Sequence, residues 1–235
     1  MPIAFITGAS KGIGLATARQ MLELGSRAIN FSRSPSPAEG IENHAVDLSK
    51  SDAESAVTAL VDALLPGSDR ETITLVHNAA KLQNDTADNL SAASFENIFR
   101  INVLGPHILN QALIPRMGPG SSILYIGSTL SEKAVPNSYS YVTTKHAMIG
   151  QMRATCQDLA GTRIHTACIC PGFTDTEMLR EHVDHDAEVL EAVSGMSAFG
   201  RLITPDEIAS TITFCAGNPV VNGAIIHANL GQVER

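Results

Sequence analysis

Short apolar runs alternate along this chain with longer segments in which apolar residues recur at helical spacing. The first run, residues 2–6, contains three bulky apolar side chains and is typical of a strand buried on both faces of a parallel sheet. A segment with helical periodicity follows at residues 13–24, and Gly25 is a suitable residue to end it. The pattern therefore predicts a strand followed by a helix at the start of the chain.

The same alternation continues through the rest of the sequence. Further strands are predicted at residues 28–31, 72–76, 123–126, 163–169 and 224–227, and further helices at residues 51–65, 91–113, 138–160 and 205–216. Strands and helices in alternation form a parallel sheet with helices on both faces. We therefore expect one α/β domain over residues 1–235, without internal repeats or domain linkers.

Three glycines lie between the first predicted strand and the first predicted helix. Gly8, Gly12 and Gly14 allow a turn that side chains would block, which brings backbone N–H groups close to a ligand. An anion is stabilised there, because aligned peptide dipoles leave a partial positive charge at the start of a helix. The order of strand, glycines and helix favours a phosphate site over a turn that binds nothing.

A second group of polar residues, Ser128, Tyr141 and Lys145, is suited to proton transfer. Tyr141 and Lys145 are four residues apart, so they share one face of the helix predicted at residues 138–160. An unassisted phenol is almost entirely un-ionised at neutral pH, and a nearby ammonium group favours its ionised form. Such a pair alone is typical of an ordinary amphipathic helix, but Ser128 follows a strand at the edge where open α/β sheets bind ligands.

Together, these two groups of residues resemble the motifs of the short-chain dehydrogenase/reductase family, and the resemblance covers nearly the whole chain. It implies a Rossmann-type, doubly wound parallel sheet of about seven strands, in which Ser128, Tyr141 and Lys145 are catalytic. It also implies that Asn102 anchors a water-linked proton relay behind the lysine. Residues 173–201 are expected to form a mobile lid over the substrate, and the family's usual assembly implies a homotetramer or homodimer.

The choice between the two nicotinamide cofactors depends on the end of the strand predicted at residues 28–31. An NAD enzyme places Asp or Glu about twenty residues after the glycines, where it accepts a hydrogen bond from the ribose. No acidic residue stands there, and Ser32 and Arg33 follow the strand instead. A guanidinium group pairs with the 2′-phosphate of NADP, and Lys11 offers a second cation. The sequence therefore favours NADP(H) over NAD(H).

Other cofactor contacts are implied by the resemblance alone. Residues 171–176 resemble the segment that holds the nicotinamide carboxamide, and residues 46–48 resemble the strand end whose aspartate meets the adenine. Asn78 matches a position that stabilises the central sheet, whereas Ala80 stands where the family usually has glycine. The expected cofactor-binding residues are Gly8, Ser10, Lys11, Gly12, Ile13, Gly14, Ser32, Arg33, Asp47, Leu48, Asn78, Ala79, Tyr141, Lys145, Pro171, Gly172, Thr174 and Thr176.

These interpretations combine into an NADP(H)-dependent oxidoreductase that transfers a hydride between nicotinamide and a carbonyl or secondary alcohol, with Tyr141 as general acid/base. The alternative is a non-catalytic NADP(H)-sensing regulatory module on the same fold. The presence of the serine, tyrosine and lysine favours the enzyme, because a sensor does not need all three. Few fixed charges occur in residues 131–138 and in the predicted lid, which favours a mostly neutral or apolar substrate.

Composition argues against several other classes of protein. A formal charge of −8 over 235 residues argues against a nucleic-acid partner. No run approaches the roughly 18 apolar residues that cross a bilayer. A strand at residue 2 leaves no room for a signal peptide, so a cytoplasmic location is expected. The four cysteines lack zinc-like spacing and are expected to be buried thiols, and no metal site is expected.

Overall fold

The computed structural model describes residues 1–67 and 69–233, and its central feature is a parallel sheet of seven strands in the order β3-β2-β1-β4-β5-β6-β7. The strands are β1 (Ile3–Thr7), β2 (Arg27–Ser32), β3 (Glu42–Ala45), β4 (Ile73–His77), β5 (Ser122–Ile126), β6 (His165–Pro171) and β7 (Ala224–Ala228). The chain winds outward in one direction from β1 and in the other from β4, which leaves a crevice at the carboxyl ends of these two neighbouring strands. The expected doubly wound sheet is confirmed.

Helices cover both faces of this sheet. They are α1 (Gly12–Glu23), α2 (Ala53–Leu64), α3 (Ala92–Phe99), α4 (Gly105–Leu113), α5 (Tyr139–Asp158), α6 (Glu177–His182), α7 (Ala187–Ser194) and α8 (Pro205–Gly217). Side chains alternate between the faces of a strand, so Phe5 packs with residues of α2, α4 and α5, whereas Ile6 packs with residues of α1 and α8. Both faces are therefore apolar, which explains the continuous apolar runs in the sequence.

The segment predicted to be helical, residues 91–113, is helical without a break from Ala92 to Leu113, but its geometry changes in the middle. Helix α3 gives way to a five-residue π-helical turn, Arg100–Leu104, before α4 begins. Pro106 has no N–H group, so it cannot donate the usual hydrogen bond to the carbonyl of Asn102 four residues earlier. The Asn102 side chain also forms hydrogen bonds with Lys81 and Thr144, which lie outside its own helix. The spacing of apolar residues therefore does not predict this turn, because the turn depends on Pro106 and Asn102.

The expected lid, residues 173–201, contains the two short helices α6 and α7 and is held at both ends. At its base, the Asp175 N–H donates to the Ile203 carbonyl at 2.8 Å. At its far end, the Ala198 N–H donates to the Leu230 carbonyl at 3.1 Å, and the Val233 N–H donates to the Met196 carbonyl at 2.7 Å. The carboxyl-terminal segment of the described chain is thus hydrogen-bonded to the end of the lid.

The four cysteines are free thiols. Cys168, Cys170 and Cys215 are buried as expected, whereas Cys156 is only partly buried. The Sγ atoms of Cys168 and Cys170 are 3.9 Å apart on one face of β6. A Cβ atom at Gly127 would lie 2.8 Å from each of these sulfur atoms, so only glycine fits at this position directly after β5.

A buried polar network lies beneath the centre of the sheet. The imidazole of His77 donates from Nε2 to the Asn110 Oδ1 at 2.9 Å, and the Asn110 amide donates to the Tyr125 hydroxyl at 2.7 Å. His77 Nδ1 has no hydrogen-bond partner among the described residues. Burial, only partly opposed by the bond to Asn110, lowers the pKa of His77 from 6.5 to about 4.

This histidine gives the fold a specific sensitivity to acid. In the unfolded chain His77 binds a proton near pH 6.5, whereas in the folded protein it does so only near pH 4. The free energy of unfolding is therefore highest above pH 6.5 and decreases as the pH falls from 6.5 to about 4. Urea unfolding of the wild type should show a loss about 2 kcal/mol larger than that of His77→Asn between pH 7 and pH 5. Equal losses in the two proteins would show that His77 takes up its proton as readily in the folded state.

Candidate active site

A cleft of about 1120 Å³ opens at the carboxyl ends of the strands and brings together residues from distant parts of the sequence. Among the predicted site residues, Gly14 and Asn102 do not line it. The predicted residues that do line it are Gly8, Ser10, Lys11, Gly12, Ile13, Ser32, Arg33, Asp47, Leu48, Asn78, Ala79, Ser128, Tyr141, Lys145, Pro171, Gly172, Thr174 and Thr176. The glycine turn and the proton-transfer residues thus share one cavity.

The glycine turn connects β1 to α1 and is tied to β4. Gly8 and Gly12 have φ angles of +72° and +56°, which favour glycine. The side-chain amide of Asn78 donates to the carbonyl of Thr7 at 2.9 Å and to that of Gly8 at 3.2 Å. Gly14 lies behind the turn, where a Cβ atom would be 2.4 Å from the Gly8 oxygen. Gly14 therefore allows α1 to approach the turn closely, but it does not line the cleft.

Replacing Gly14 by Ala should disrupt this turn. The added methyl group would also lie 2.5 Å from the Asn78 amide nitrogen, so backbone and amide must both move. Such overpacking costs about 1–3 kcal/mol, and we expect the variant to unfold at a lower temperature than the wild type. Gly150→Ala on α5 is the matched control, since nothing lies within 4 Å of that position. Equal behaviour of the two variants would contradict the packing role of Gly14.

Ser128 begins the short 3₁₀ turn Thr129–Ser131 directly after β5. Its Oγ accepts a hydrogen bond from the Leu130 N–H at 3.1 Å, and its own N–H donates to the Ser131 Oγ at 3.1 Å. These bonds fix the side chain while leaving the hydroxyl hydrogen of Ser128 available. The serine can therefore donate a hydrogen bond to a ligand in the cleft.

Tyr141 and Lys145 project from the first turns of α5 into the same cleft. Tyr141 is 8% exposed and Lys145 is 2% exposed. The lysine Nζ lies 5.3 Å from the centroid of the tyrosine ring and donates to the Ile126 carbonyl at 2.6 Å. This bond joins α5 to the strand that leads to Ser128. Two of the three ammonium hydrogens remain available for other partners.

Asn102 lies in the π-helical turn and is buried. Its Oδ1 accepts from the Lys81 N–H at 2.7 Å, and its Nδ2 donates to the Lys81 carbonyl and to the Thr144 Oγ1, both at 3.0 Å. Both amide hydrogens are thus used within the protein. The main-chain carbonyl of Asn102 lacks its usual helical donor, because Pro106 has no N–H group.

The positions expected to select the cofactor lie at the far end of the cleft. Ser32 and Arg33 also line a recess of about 150 Å³ that adjoins β3. Arg33 is exposed and forms no ion pair within the described residues. Asp47 lies just beyond β3, which ends at Ala45. Hydrogen bonds from Ser49, and then the charge of Arg33, keep the pKa of the Asp47 carboxyl below its ordinary value.

Lys11 contacts the expected lid. Its Nζ lies 3.6 Å from the Glu181 Oε1 on α6, and both side chains are well exposed. The glycine turn and the lid also meet at Gly12, where a Cβ atom would lie 3.3 Å from Thr176 Cγ2. The lysine is therefore placed between the glycine turn and the expected lid. This contact joins residues far apart in the sequence, and no sequence signal indicated it.

Several residues that line the cleft are not among the predicted catalytic or cofactor-binding residues. Apolar examples are Leu82, Leu130, Val135, Met178, Leu179 and Met196, and polar examples are Lys81, Gln83, Asn84, Asn97, Glu177 and Gln232. Only the apolar lid residues had a sequence signal, namely their spacing on short helical segments. Apolar and polar side chains thus share the lining of the cleft.

Within residues 1–67 and 69–233, no helix is long and apolar enough to cross a membrane. Over the same ranges, no three histidine, cysteine, aspartate or glutamate side chains come together in a group that could hold a metal ion.

Comparison with known proteins agrees with this geometry. The chain is 29% identical to NADPH-dependent aldehyde reductase 2, chloroplastic, of Arabidopsis thaliana, over 97% of this chain and 93% of that protein. It is 25% identical to the 3-oxoacyl-[acyl-carrier-protein] reductase FabG of Staphylococcus aureus, over 97% of each. The ligand-free aldohexose dehydrogenase of Thermoplasma acidophilum superimposes with a TM-score of 0.90 at 24% identity, over 98% of this chain and 93% of that structure.

A family model described as enoyl-(acyl carrier protein) reductase matches residues 8–232. This match contains both the glycine turn and the residues of the proton-transfer group. The chain therefore belongs to the short-chain dehydrogenase/reductase family.

Proposed function

We propose that this protein is an NADP(H)-dependent oxidoreductase that interconverts a carbonyl compound and the corresponding alcohol. The observation that carries the proposal is the convergence of Ser128, Tyr141 and Lys145 in the cleft that also contains the glycine turn. Membership of the family supports oxidoreductase chemistry in general. The substrate is a small molecule that reaches the cleft between the sheet edge and residues 173–201, which we propose as its lid.

The cleft fits a nicotinamide dinucleotide. Gly8 and Gly12 present bare backbone at the start of α1, where a pyrophosphate is stabilised by N–H groups and by the helix dipole. Asp47 and Leu48 would contact the adenine, and residues 171–176 would hold the carboxamide. When bound, the cofactor supplies or accepts the hydride.

The proton-transfer residues have distinct roles in this proposal. Ser128 donates a hydrogen bond to the substrate oxygen, and the phenol of Tyr141 delivers the proton to that oxygen. The ammonium of Lys145 stabilises the phenolate that is left, while its bond to the Ile126 carbonyl keeps it in place. A water bound by the main-chain carbonyl of Asn102 would return a proton from solvent.

A preference for NADP(H) is supported by Arg33, an exposed cation with no ion pair among the described residues. A guanidinium group in this recess would pair with the 2′-phosphate, where an acidic residue would repel it. The name of the related Arabidopsis aldehyde reductase also mentions NADPH. Lys11 would be shared between the cofactor phosphates and Glu181 of the lid.

We also propose a homotetramer or homodimer. An exposed aromatic cluster supports it: Phe95 lies 6.2 Å from Phe99 and 5.9 Å from Tyr139, measured between ring centroids. Phe99 and Tyr139 are 40% and 45% exposed. Such a patch, on α3 and α5, is suited to contact with a second copy of the chain.

The test is to mix the protein with NADPH and follow the absorbance of the reduced nicotinamide with a panel of substrates. The panel contains short aldehydes, a 3-oxoacyl thioester and a 2-enoyl thioester, each also tested with NADH. We expect turnover with a carbonyl substrate and faster turnover with NADPH. Turnover of the enoyl thioester alone would overturn the proposed reaction, and NADPH binding without any turnover would favour the sensor.

A further inference from the structure

We infer that Asp85 is a positioning residue that holds Tyr141 in its place in the cleft. The inference rests on the proposed function, in which Tyr141 transfers the proton. Asp85 lies in the segment between β4 and α3, outside the glycine turn and the proton-transfer group. It is 2% exposed, and no ion pair of its carboxylate occurs in the described parts of the chain.

The carboxylate of Asp85 binds the residue directly before the tyrosine. Oδ1 accepts a hydrogen bond from the Ser140 N–H at 2.8 Å, and Oδ2 accepts one from the Ser140 hydroxyl at 2.5 Å. The main chain adds two more bonds: the Asp85 N–H donates to the Asn137 carbonyl at 3.1 Å, and the Tyr139 N–H donates to the Asp85 carbonyl at 3.2 Å. We call these four bonds the Asp85 clamp.

The clamp replaces a cap that the helix itself lacks. Ser138 precedes the first residue of α5, but its side chain makes no capping hydrogen bond. The Asp85 carboxylate takes over this role from another segment, and its negative charge is stabilised by the partial positive charge at the start of the 20-residue helix. This accounts for a buried carboxylate that has no cationic partner in the described chain.

Position along α5 makes the clamp important for Tyr141. The helix is fixed one turn further on, where Thr144 binds Asn102 and Lys145 binds the Ile126 carbonyl. Tyr141 is the third residue of α5, so it lies between these bonds and the clamp. Without the clamp the first turn of α5 is free to fray, and a displacement of about 1 Å at a reacting group can cost about 100-fold in rate.

Three variants and one control distinguish positioning from simple stabilisation. Asp85→Ala removes the side-chain half of the clamp, Asp85→Asn keeps an oxygen for the Ser140 N–H, and Ser140→Ala removes only the hydroxyl bond. The control is Thr204→Ala, because Thr204 also accepts a hydrogen bond at the start of a helix, α8, and does not line the cleft. Each protein is examined by urea unfolding, by NADPH titration and by steady-state kinetics with the best carbonyl substrate.

We expect kcat to fall about 100-fold in Asp85→Ala, with the Kd for NADPH within about twofold of the wild type. Asp85→Asn and Ser140→Ala should stay within about tenfold of the wild-type kcat. Thr204→Ala should lose stability, by about 1 kcal/mol for a lost cap, with kcat unchanged. A normal kcat in Asp85→Ala, or a fall in kcat of the same size in Asp85→Ala and Thr204→Ala, would overturn the inference.

A spectroscopic measurement tests the Asp85 clamp independently of the proposed reaction. The chain has three tyrosines, so ¹³C-labelled tyrosine gives three ring signals, and Tyr141→Phe assigns one of them. The Tyr141 signal should move in Asp85→Ala and stay near its wild-type position in Asp85→Asn and Thr204→Ala. A shifted signal in a protein that turns over no carbonyl would refute the proposed function and leave the clamp intact. An unmoved signal would refute the clamp.

Discussion

Replacing Tyr141 by Phe is expected to lower kcat by about 10²–10⁴-fold, the usual contribution of general acid–base catalysis. The substitution removes only the hydroxyl group, and the ring can keep its position 5.3 Å from the Lys145 Nζ. We therefore expect the Kd for NADPH to change little. Stopped-flow or steady-state absorbance of the reduced nicotinamide gives kcat, and quenching or enhancement of cofactor fluorescence gives Kd.

The matched control for this variant is Tyr139→Phe. Tyr139 lies two residues earlier on the same helix and is 45% exposed, and its hydroxyl makes no hydrogen bond within the described residues. Its removal should leave kcat within about twofold, because no charge develops near this group in the reaction. Near-normal turnover in Tyr141→Phe would remove the tyrosine from the proposed mechanism.

Replacing Arg33 by Asp is expected to weaken NADPH binding by about 100-fold while NADH binding changes by only a few-fold. A hydrogen bond to a charged group contributes about 1.5–3 kcal/mol, and the new carboxylate adds repulsion of the 2′-phosphate. The recess beside β3 leaves room for the shorter side chain. Titration of each variant with both cofactors gives the ratio of Kd values, which is the quantity to compare.

Arg153→Asp makes the same change in net charge at an exposed position of α5 outside the cleft. It should leave the ratio of Kd values unaltered, apart from a small long-range effect that salt screens. Similar losses of NADPH affinity in both variants would assign the effect to overall charge and leave Arg33 without a specific role.

The parts of the fold that follow from local sequence were predictable. The sequence pattern located β1 and β6 to within a few residues, because a central parallel strand is covered on both sides and needs an apolar run. The start of α1 was evident from its glycines. The π-helical turn was not predicted, because it does not depend on the spacing of apolar residues. It depends on Pro106, which has no N–H donor, and on Asn102, which binds the main chain of Lys81.

In the candidate site, too, some features follow from local sequence and others do not. Residues such as Gly8 and Tyr141 belong to motifs with short spacing, and their types predict the chemistry that we propose for them. The contact of Lys11 with Glu181 joins residues 170 positions apart, and the Asp85 clamp joins residues 55 positions apart. Such pairs depend on how the loops pack after the sheet has formed, so the spacing of residue types does not reveal them.

The hydrogen bonds between the carboxyl-terminal segment and the lid have a practical consequence for handling the protein. Because Val233 binds Met196, which lines the cleft, an affinity tag or fluorescent fusion attached beyond this point would be tethered beside the cleft. The start of β1 is at the opposite edge of the sheet, since all seven strands run parallel and the cleft lies at their carboxyl ends. Fusions ahead of Ile3 should therefore leave access to the cleft unhindered, and kinetic constants should be measured with protein labelled on that side.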